Sequence, residues 1–331
     1  MKYSIVIISK DNRKYLINCL ENLIKNIPKD TEIIVVEAGK NLENLPFGNV
    51  KHIKVSLYVH EAGFSNQRNI GVKNSNGEYI IFIDDDVEVT NNWFKNLTSV
   101  TEDEKIIGAM GSTFPIPKNS NTISFNIGVL GHPGGGFRLH NFSKMNIIPL
   151  SQIASCNTII KKEVIENVGC FDLKNFHGGE DTDLSIRITQ KYGTNQLKYI
   201  PNALAWHYTK TNFLDMCKWY LRRGKADAEL FLKHTGHFKY LISTAISLKI
   251  LTVIILSSLF SWIILPLAFI IWYFLQMFRA RFMWKYFYLY NFSFTRKLIT
   301  FFVFPFIKLT ADIMFDFGRI LRLFNKQNSK I

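Results

Sequence analysis

Three adjacent carboxylates, Asp84, Asp85 and Asp86, end the apolar run YIIFI at residues 79–83. Like charges packed beside an apolar core repel one another and are costly without a positive partner. Side chains alternate along an extended strand, so Asp84 and Asp86 are expected on one side and Asp85 on the other. A same-side pair at a strand end suits a hard divalent ion, Mg2+ or Mn2+, which keeps other positions for water and phosphate oxygens. A solvated acidic turn leading into a helix has the same composition. The spacing alone admits both.

A second acidic group lies in GGEDTDLSIRITQKYG, residues 178–193. Leu184, Ile188 and Tyr192 share one helical face and Gly193 is a natural stop, so Glu180, Asp181 and Asp183 fall in the first turn. Carboxylates there favour the helix dipole by about 0.3–1 kcal/mol each, which is sufficient reason for their presence without any chemistry. Other sites are excluded. No GxxxxGK[ST] run occurs and no GxGxxG follows a strand, so neither a P-loop nor a Rossmann dinucleotide site is encoded. Counted from Asp84, Val89 stands where an EF-hand needs glycine. Cys19, Cys156, Cys170 and Cys217 form no CxxC pair and read as reduced structural thiols.

The elements that carry these groups read as an α/β fold with a mostly parallel central sheet. YSIVII (3–8), EIIVV (32–36) and YIIFI (79–83) are continuous apolar runs rich in β-branched residues, as in strands buried on both faces. Leu16, Leu20, Leu23, Ile24 and Ile27 lie at helical spacing between the first two, ending before Pro28. Strand, helix, strand is a βαβ unit. VKHIKVSLYV (50–59) predicts another strand, followed by a helix with Ser65 as N-cap and Gly77 as its close. The glycines at 134–136, after His132 and Pro133, are expected to form a loop. Ligands of open α/β sheets bind beyond the carboxyl ends of the strands, where Ser9, Glu37 and Asp84–Asp86 fall.

Taken in order, SIVIISKDNR, EIIVVEAG, GFSNQRNIGVKNSNGEYIIFIDDD, ASCNTIIKKEVIENVGCFD and GGEDTDLSIRI closely resemble the family 2 glycosyltransferases of the GT-A fold, over residues 4 to about 208. The resemblance implies a nucleotide-sugar donor and a Mg2+ or Mn2+ ion. Asp84 and Asp86 match the family's metal-gripping DxD pair, and Asp85 its middle position near the ribose. Glu37 stands where an Asp usually reads the nucleoside; Ser9 and Arg13 flank that pocket, and Arg68 is expected near the diphosphate. Ser9-Lys10 replaces the common Pro-Thr and Glu37-Ala38 the frequent Asp-Asp, which bears on the identity of the base. Asp181 matches the general base of an inverting transfer, Glu180 and Asp183 groups that orient acceptor hydroxyls, and His207 a further metal ligand. The QxxRW signature of processive synthases is absent, which implies one sugar per binding event. A nucleotidyltransferase, which shares an α/β nucleotide site, and a non-catalytic membrane scaffold are the rival readings.

Charge along the chain points to a membrane. Of the net +14, residues 209–249 hold eight Lys/Arg against three Asp/Glu, and residues 279–331 hold ten against two. The first two thirds are nearly neutral, so nucleic acid is not an expected partner. The basic segments flank Ile250–Phe278, 29 residues without a charge. Its basic flanks suit anionic lipid headgroups and, by the positive-inside rule, both belong on the cytoplasmic face. A re-entrant hairpin bent at Pro266 is expected, a tilted single span being the alternative. The resulting organisation is a catalytic domain at 1–208, a basic amphipathic connector at 209–249 lying on the membrane surface, a membrane-embedded segment at 250–278 and a basic interfacial tail at 279–331, including Leu298–Ile307. The N-terminal apolar run is too short for a signal peptide, which keeps the catalytic domain on the cytoplasmic side. Docking there fits a lipid-linked or glycan acceptor, with a lipid phosphate as the other choice.

Overall fold

The computed structural model describes residues 1–39, 42–55, 63–174, 178–234 and 244–324. Their strands are β1 (Tyr3–Lys10), β2 (Glu32–Ala38), β3 (Val50–Val55), β4 (Tyr79–Asp84), β5 (Val87–Val89), β6 (Gly108–Pro115), β7 (Ile148–Pro149), β8 (Asn157–Lys161) and β9 (Leu197–His207). The α-helices, numbered here in chain order, are α1 (Arg13–Asn26), α2 (Phe64–Lys73), α3 (Trp93–Thr98), α4 (Thr122–Val129), α5 (Gly136–Ser143), α6 (Lys162–Asn167), α7 (Glu180–Tyr192), α8 (Phe213–Lys233), α9 (Ile246–Leu259), α10 (Ile264–Ala280) and α11 (Phe294–Phe324). Two compact units result: one takes residues 1–116, 131–176 and 180–209, the other 117–130, 177–179 and 210–331.

The first unit is built on one sheet in the order β3-β2-β1-β4-β8-β6-β9-β5, with β7 added to β9. Strands β3, β2, β1 and β4 are parallel; β8 runs antiparallel to β4 and β6, β6 and β9 are parallel, and β5 is antiparallel to β9. The sheet is therefore parallel through its first four strands and mixed beyond them. Apolar runs report burial on both faces but carry no information on strand direction, which is why the second half escaped a sequence reading. Alternation does the sorting. Ile5, Ile7, Ile33, Val35, Ile81 and Ile83 pack on one face with Leu16, Leu20 and Leu23 of α1, while Val6, Ile80 and Phe82 pack on the other with Val72, Leu184 and Ile188.

Local details depart from expectation for physical reasons. Helix α2 has Gly63 as N-cap, and Ser65 is buried inside its first turn. The helix ends at Lys73, before Gly77, whose backbone N–H donates to Ser4 Oγ at 2.8 Å. A Cβ at Gly77 would stand 2.5 Å from the Ser4 nitrogen, so glycine is there for close approach to β1. The glycines of 134–136 form the turn into α5, three consecutive positive φ angles among them. Strand β3 ends at Val55; the rest of the expected strand, 56–59, lies outside the described residues.

In the second unit, α8 and α11 cross at two glycines. A Cβ at Gly224 would sit 1.9 Å from the Phe315 carbonyl oxygen, and one at Gly318 would sit 2.1 Å from that of Leu221. Such backbone-to-backbone contact tolerates no side chain. Met216 and Tyr220 of α8 join Ile127 of α4 and Ile307 and Ala311 of α11 in one apolar cluster. Of the α8 face expected on a membrane, Tyr220 is buried in this cluster and Cys217 packs against it, while Phe213 is 47% exposed. Leu298–Ile307 is part of the 31-residue α11, with Pro305 inside it. The uncharged stretch breaks at Phe260–Ile263 and not at Pro266, which occupies the first turn of α10, where a missing N–H goes unnoticed. Ile264–Leu289 and Phe294–Phe324 are long and apolar enough to cross a membrane, by length and composition.

Candidate active site

Strand β4 delivers Asp84 to the carboxyl edge of the sheet, and β9 returns His207 beside it. The pairing of Val87 with His207, and a Tyr208 N–H donated to the Asp86 carbonyl at 3.0 Å, hold the two segments together. Asp84, Asp86 and His207 each offer a ligand atom within 4.8 Å of the others, a set that can hold a metal ion. His207 Nε2 lies 3.3 Å from Asp86 Oδ1 and 3.7 Å from Asp84 Oδ2. Burial alone would lower the imidazole pKa; the charges of Asp86 and Asp84 outweigh it and hold it up at about 9. Two carboxylates with one imidazole form a mostly hard donor set, which Mn2+ accepts readily.

Asp85 points elsewhere, as alternation requires. Ser9 Oγ donates to its Oδ2 at 2.6 Å and Asn12 Nδ2 to its Oδ1 at 2.9 Å. Burial, with the neighbouring charge of Asp86, pushes the Asp85 carboxyl up to about 7. Gln67 braces the same edge from α2, donating to the carbonyls of Ser9 (2.8 Å) and Val36 (2.9 Å). Glu37 is buried, and its carboxylate accepts from Arg13 Nη1 at 2.9 Å and bonds His52 Nε2 at 2.9 Å. Arg13 also donates to the carbonyls of Glu43 and Asn44. Burial lowers the His52 pKa despite Glu37, so a neutral ring donates Nε2–H. Asn12, His52 and Gln67 were missing from the sequence reading. Asn12 was signalled by its place just after a strand end; no pattern marked the other two.

Arg68, expected near a diphosphate, stands beside Asp84 of the metal cluster. Its side chain is only 6% exposed, held between Asp84 at 3.3 Å and the Glu180 carboxylate. Two acidic groups drawn into a low-dielectric interior leave the guanidinium committed to both. Glu180 is itself buried, its second oxygen has no hydrogen-bond partner among the described residues, and burial raises its pKa against the pull of Arg68. Asp181, half-buried beside it, accepts the Ser155 N–H at 3.4 Å and the Thr182 N–H at 2.7 Å. Asp183 does not join them. It is fully buried and accepts from Arg187 Nε (3.0 Å) and Nη2 (2.8 Å), one helical turn along α7. Burial raises the Cys156 thiol pKa, and the charges of Asp84, Asp181 and Asp86 raise it further. Arg68 ties Asp84 to Glu180, the chain neighbour of Asp181, and so brings the start of α7 beside the metal cluster.

With this geometry in place, comparison with known proteins becomes specific. The family model for glycosyl transferase family 2 matches residues 4–169. The chain belongs to glycosyl transferase family 2. This family 2 chain is 25% identical over 224 residues to a pre-mycofactocin glycosyltransferase of Mycobacterium tuberculosis (strain CDC 1551 / Oshkosh), covering 65% of this chain and 45% of that one. It is 26% identical over 110 residues to the poly(ribitol-phosphate) beta-N-acetylglucosaminyltransferase TarS of Staphylococcus aureus (strain Mu50 / ATCC 700699), covering 31% of this chain and 19% of that one. The chain thus spans less than half the length of these relatives. A solved mannosyltransferase from Pyrobaculum calidifontis, in complex with GDP-Man and Mn2+, superposes with a TM-score of 0.59 at 12% identity, over 98% of this chain and 88% of that one. At that identity the likeness is one of fold, and the fold is GT-A.

Proposed function

We propose that this family 2 chain is a metal-dependent, inverting glycosyltransferase that moves a sugar from a nucleotide-sugar donor to an acceptor hydroxyl. The observation that carries this reading is the Asp84–Asp86–His207 cluster, tied through Arg68 to Glu180, the chain neighbour of Asp181. Asp84, Asp86 and His207 would hold Mn2+ or Mg2+, which when bound neutralises the charge of a departing nucleoside diphosphate.

The chain's own groups do the rest. Asp181 takes the proton of the acceptor hydroxyl as that oxygen attacks the anomeric carbon from the face opposite the leaving group, inverting the centre. Its carboxylate is oriented for this by the Ser155 and Thr182 N–H groups. Glu180 serves by fixing Arg68, and hence Asp84, at the start of α7. Asp85, clamped by Ser9 and Asn12, and the Glu37–Arg13–His52 group line the side where the nucleoside belongs. The Pyrobaculum mannosyltransferase, with GDP-Man and Mn2+, supports a nucleotide-sugar donor through its shared fold.

Residues 1–208 act as the catalytic domain, with the basic helical region attaching it to the cytoplasmic face of a membrane. The acceptor is lipid-linked, as suits glycan or surface polysaccharide assembly. Calorimetric titration with a panel of nucleotide-sugars and Mn2+ tests the core of this reading. One donor should bind in a metal-dependent manner, and the Asp84→Ala/Asp86→Ala variant should lose that binding. Undiminished binding in the double variant would remove the metal from the reading.

A further inference from the structure

Helices α9 and α10 form a hairpin whose two ends differ sharply in chemistry. From Ile250 to Phe278 no residue is charged, and the turn between the helices presents Phe260, Trp262 and Ile263 at 77%, 65% and 64% exposure. No soluble turn gains from such a tip. The other end is polar and pinned. Asp316 of α11 accepts both the backbone N–H and the hydroxyl of Ser247 at 2.9 Å, at the start of α9. Arg319 joins Asp316 to Asp227 of α8 and to Thr244, at 3.1, 2.8 and 3.0 Å. Lys249 sits at this foot, and Arg279 and Arg281 at the foot of α10. Helix α9 holds 14 residues and is about 21 Å long, short of the roughly 30 Å hydrocarbon core. Helix α10 runs on into a 3-10 stretch, Arg281–Leu289, that carries Lys285, but its uncharged part ends at Phe278, so only about 22 Å of it is free of charge.

Helix α11 is long enough to cross, yet its surface is laid out differently. Ile299, Phe302, Phe306, Ile313, Phe317 and Ile320 are each at least 41% exposed. At 3.6 residues per turn these six fall within about 60° of arc along nearly the whole helix. The opposite side is buried at Thr300, Phe304, Ile307, Ala311 and Gly318. Ion pairs from Lys308 to Asp312 and from Arg322 to Glu229 occur along the same helix. A narrow apolar stripe on a charged helix is the pattern of an element lying in the plane of the interface, not through it.

We propose that the second unit is a monotopic anchor for an anionic bilayer: the α9–α10 hairpin enters one leaflet tip first and returns, α11 lies in the plane with its stripe on the acyl chains, and both feet of the hairpin stay on one face. This rests on the membrane attachment proposed above and adds its topology. The full chain, reconstituted into phosphatidylcholine–phosphatidylglycerol vesicles, provides the test. Flotation with the vesicles tests attachment itself, and should be stronger with phosphatidylglycerol than without, the difference shrinking as salt rises.

Topology is read separately, in floated Lys249→Cys/Lys285→Cys protein treated with a membrane-impermeant maleimide. Mass spectrometry, corrected for wild-type labelling, should find molecules carrying two added labels or none, because both feet share a face. One label per molecule would mean a crossing between them and would overturn the proposal. A thiol introduced by Ser261→Cys should stay unlabelled in intact and in lysed vesicles and react once detergent is added. Reaction on vesicle lysis alone would place the tip in the lumen and overturn it too. A chain that fails to float, elutes as a dimer and shields position 261 would assign the apolar face to a second copy, and the attachment reading would fall as well.

Discussion

In an Arg68→Met variant the Glu180 carboxylate, 6% exposed, loses the guanidinium that pairs with it, while its second oxygen has no partner among the described residues. A carboxylate so placed escapes by taking up a proton. At pH 7, protonating a group whose unfolded pKa is near 4.3 costs about 1.36 kcal/mol for each of about 2.7 units, or about 4 kcal/mol. That is the ceiling on the loss, and it matches the roughly 3–5 kcal/mol that breaking a buried pair costs. Burial already raises the Glu180 pKa with Arg68 present, and removing the cation raises it further. A raised folded-state pKa in an acid means stability is fully present below the unfolded value and is lost as pH rises through the folded one. The deficit of Arg68→Met should therefore be largest at pH 7, shrink to about 1 kcal/mol at pH 5 and nearly vanish at pH 4. Adding Glu180→Met removes the buried acid and should recover more than half of the pH 7 loss. Thermal unfolding of the detergent-solubilised full chain at the three pH values reads all of this. A deficit independent of pH, or a double variant whose losses simply add, would refute the buried-pair reasoning.

Two further outcomes follow from particular contacts. Asp181→Asn keeps the shape beside Ser155 but cannot accept a proton, so turnover should fall about 10²–10⁴-fold while calorimetric donor affinity stays unchanged; unaffected turnover would instead indicate a phosphate acceptor, which needs no deprotonation. Gly318→Leu puts a side chain where a Cβ alone would stand 2.1 Å from the Leu221 carbonyl oxygen, so α8 and α11 must part. Its melting temperature should drop by the equivalent of about 1–3 kcal/mol or more, and an unchanged value would contradict the crossing.

Much of this protein is written in short-range patterns. Runs such as YIIFI and the spacing of Leu16, Leu20 and Leu23 declare strands and a helix, because burial on two faces or one stripe constrains neighbours two to four residues apart. Alternation also placed Asp85 opposite Asp84 and Asp86, where Ser9 and Asn12 receive it. The uncharged stretch from Ile250 announced an apolar surface with equal clarity. Long-range partners were another matter. Arg68 and Glu180 stand 112 residues apart, and only the meeting of α2 with the start of α7 made them a buried pair beside Asp84. Glu37 gained His52 through the parallel pairing of β2 and β3, Asp183 was drawn away to Arg187, and the hairpin broke before Pro266. Local order follows from the chemistry of adjacent residues. Which distant charges neutralise one another depends on sheet register and helix crossings, which come into being only when the whole chain has folded.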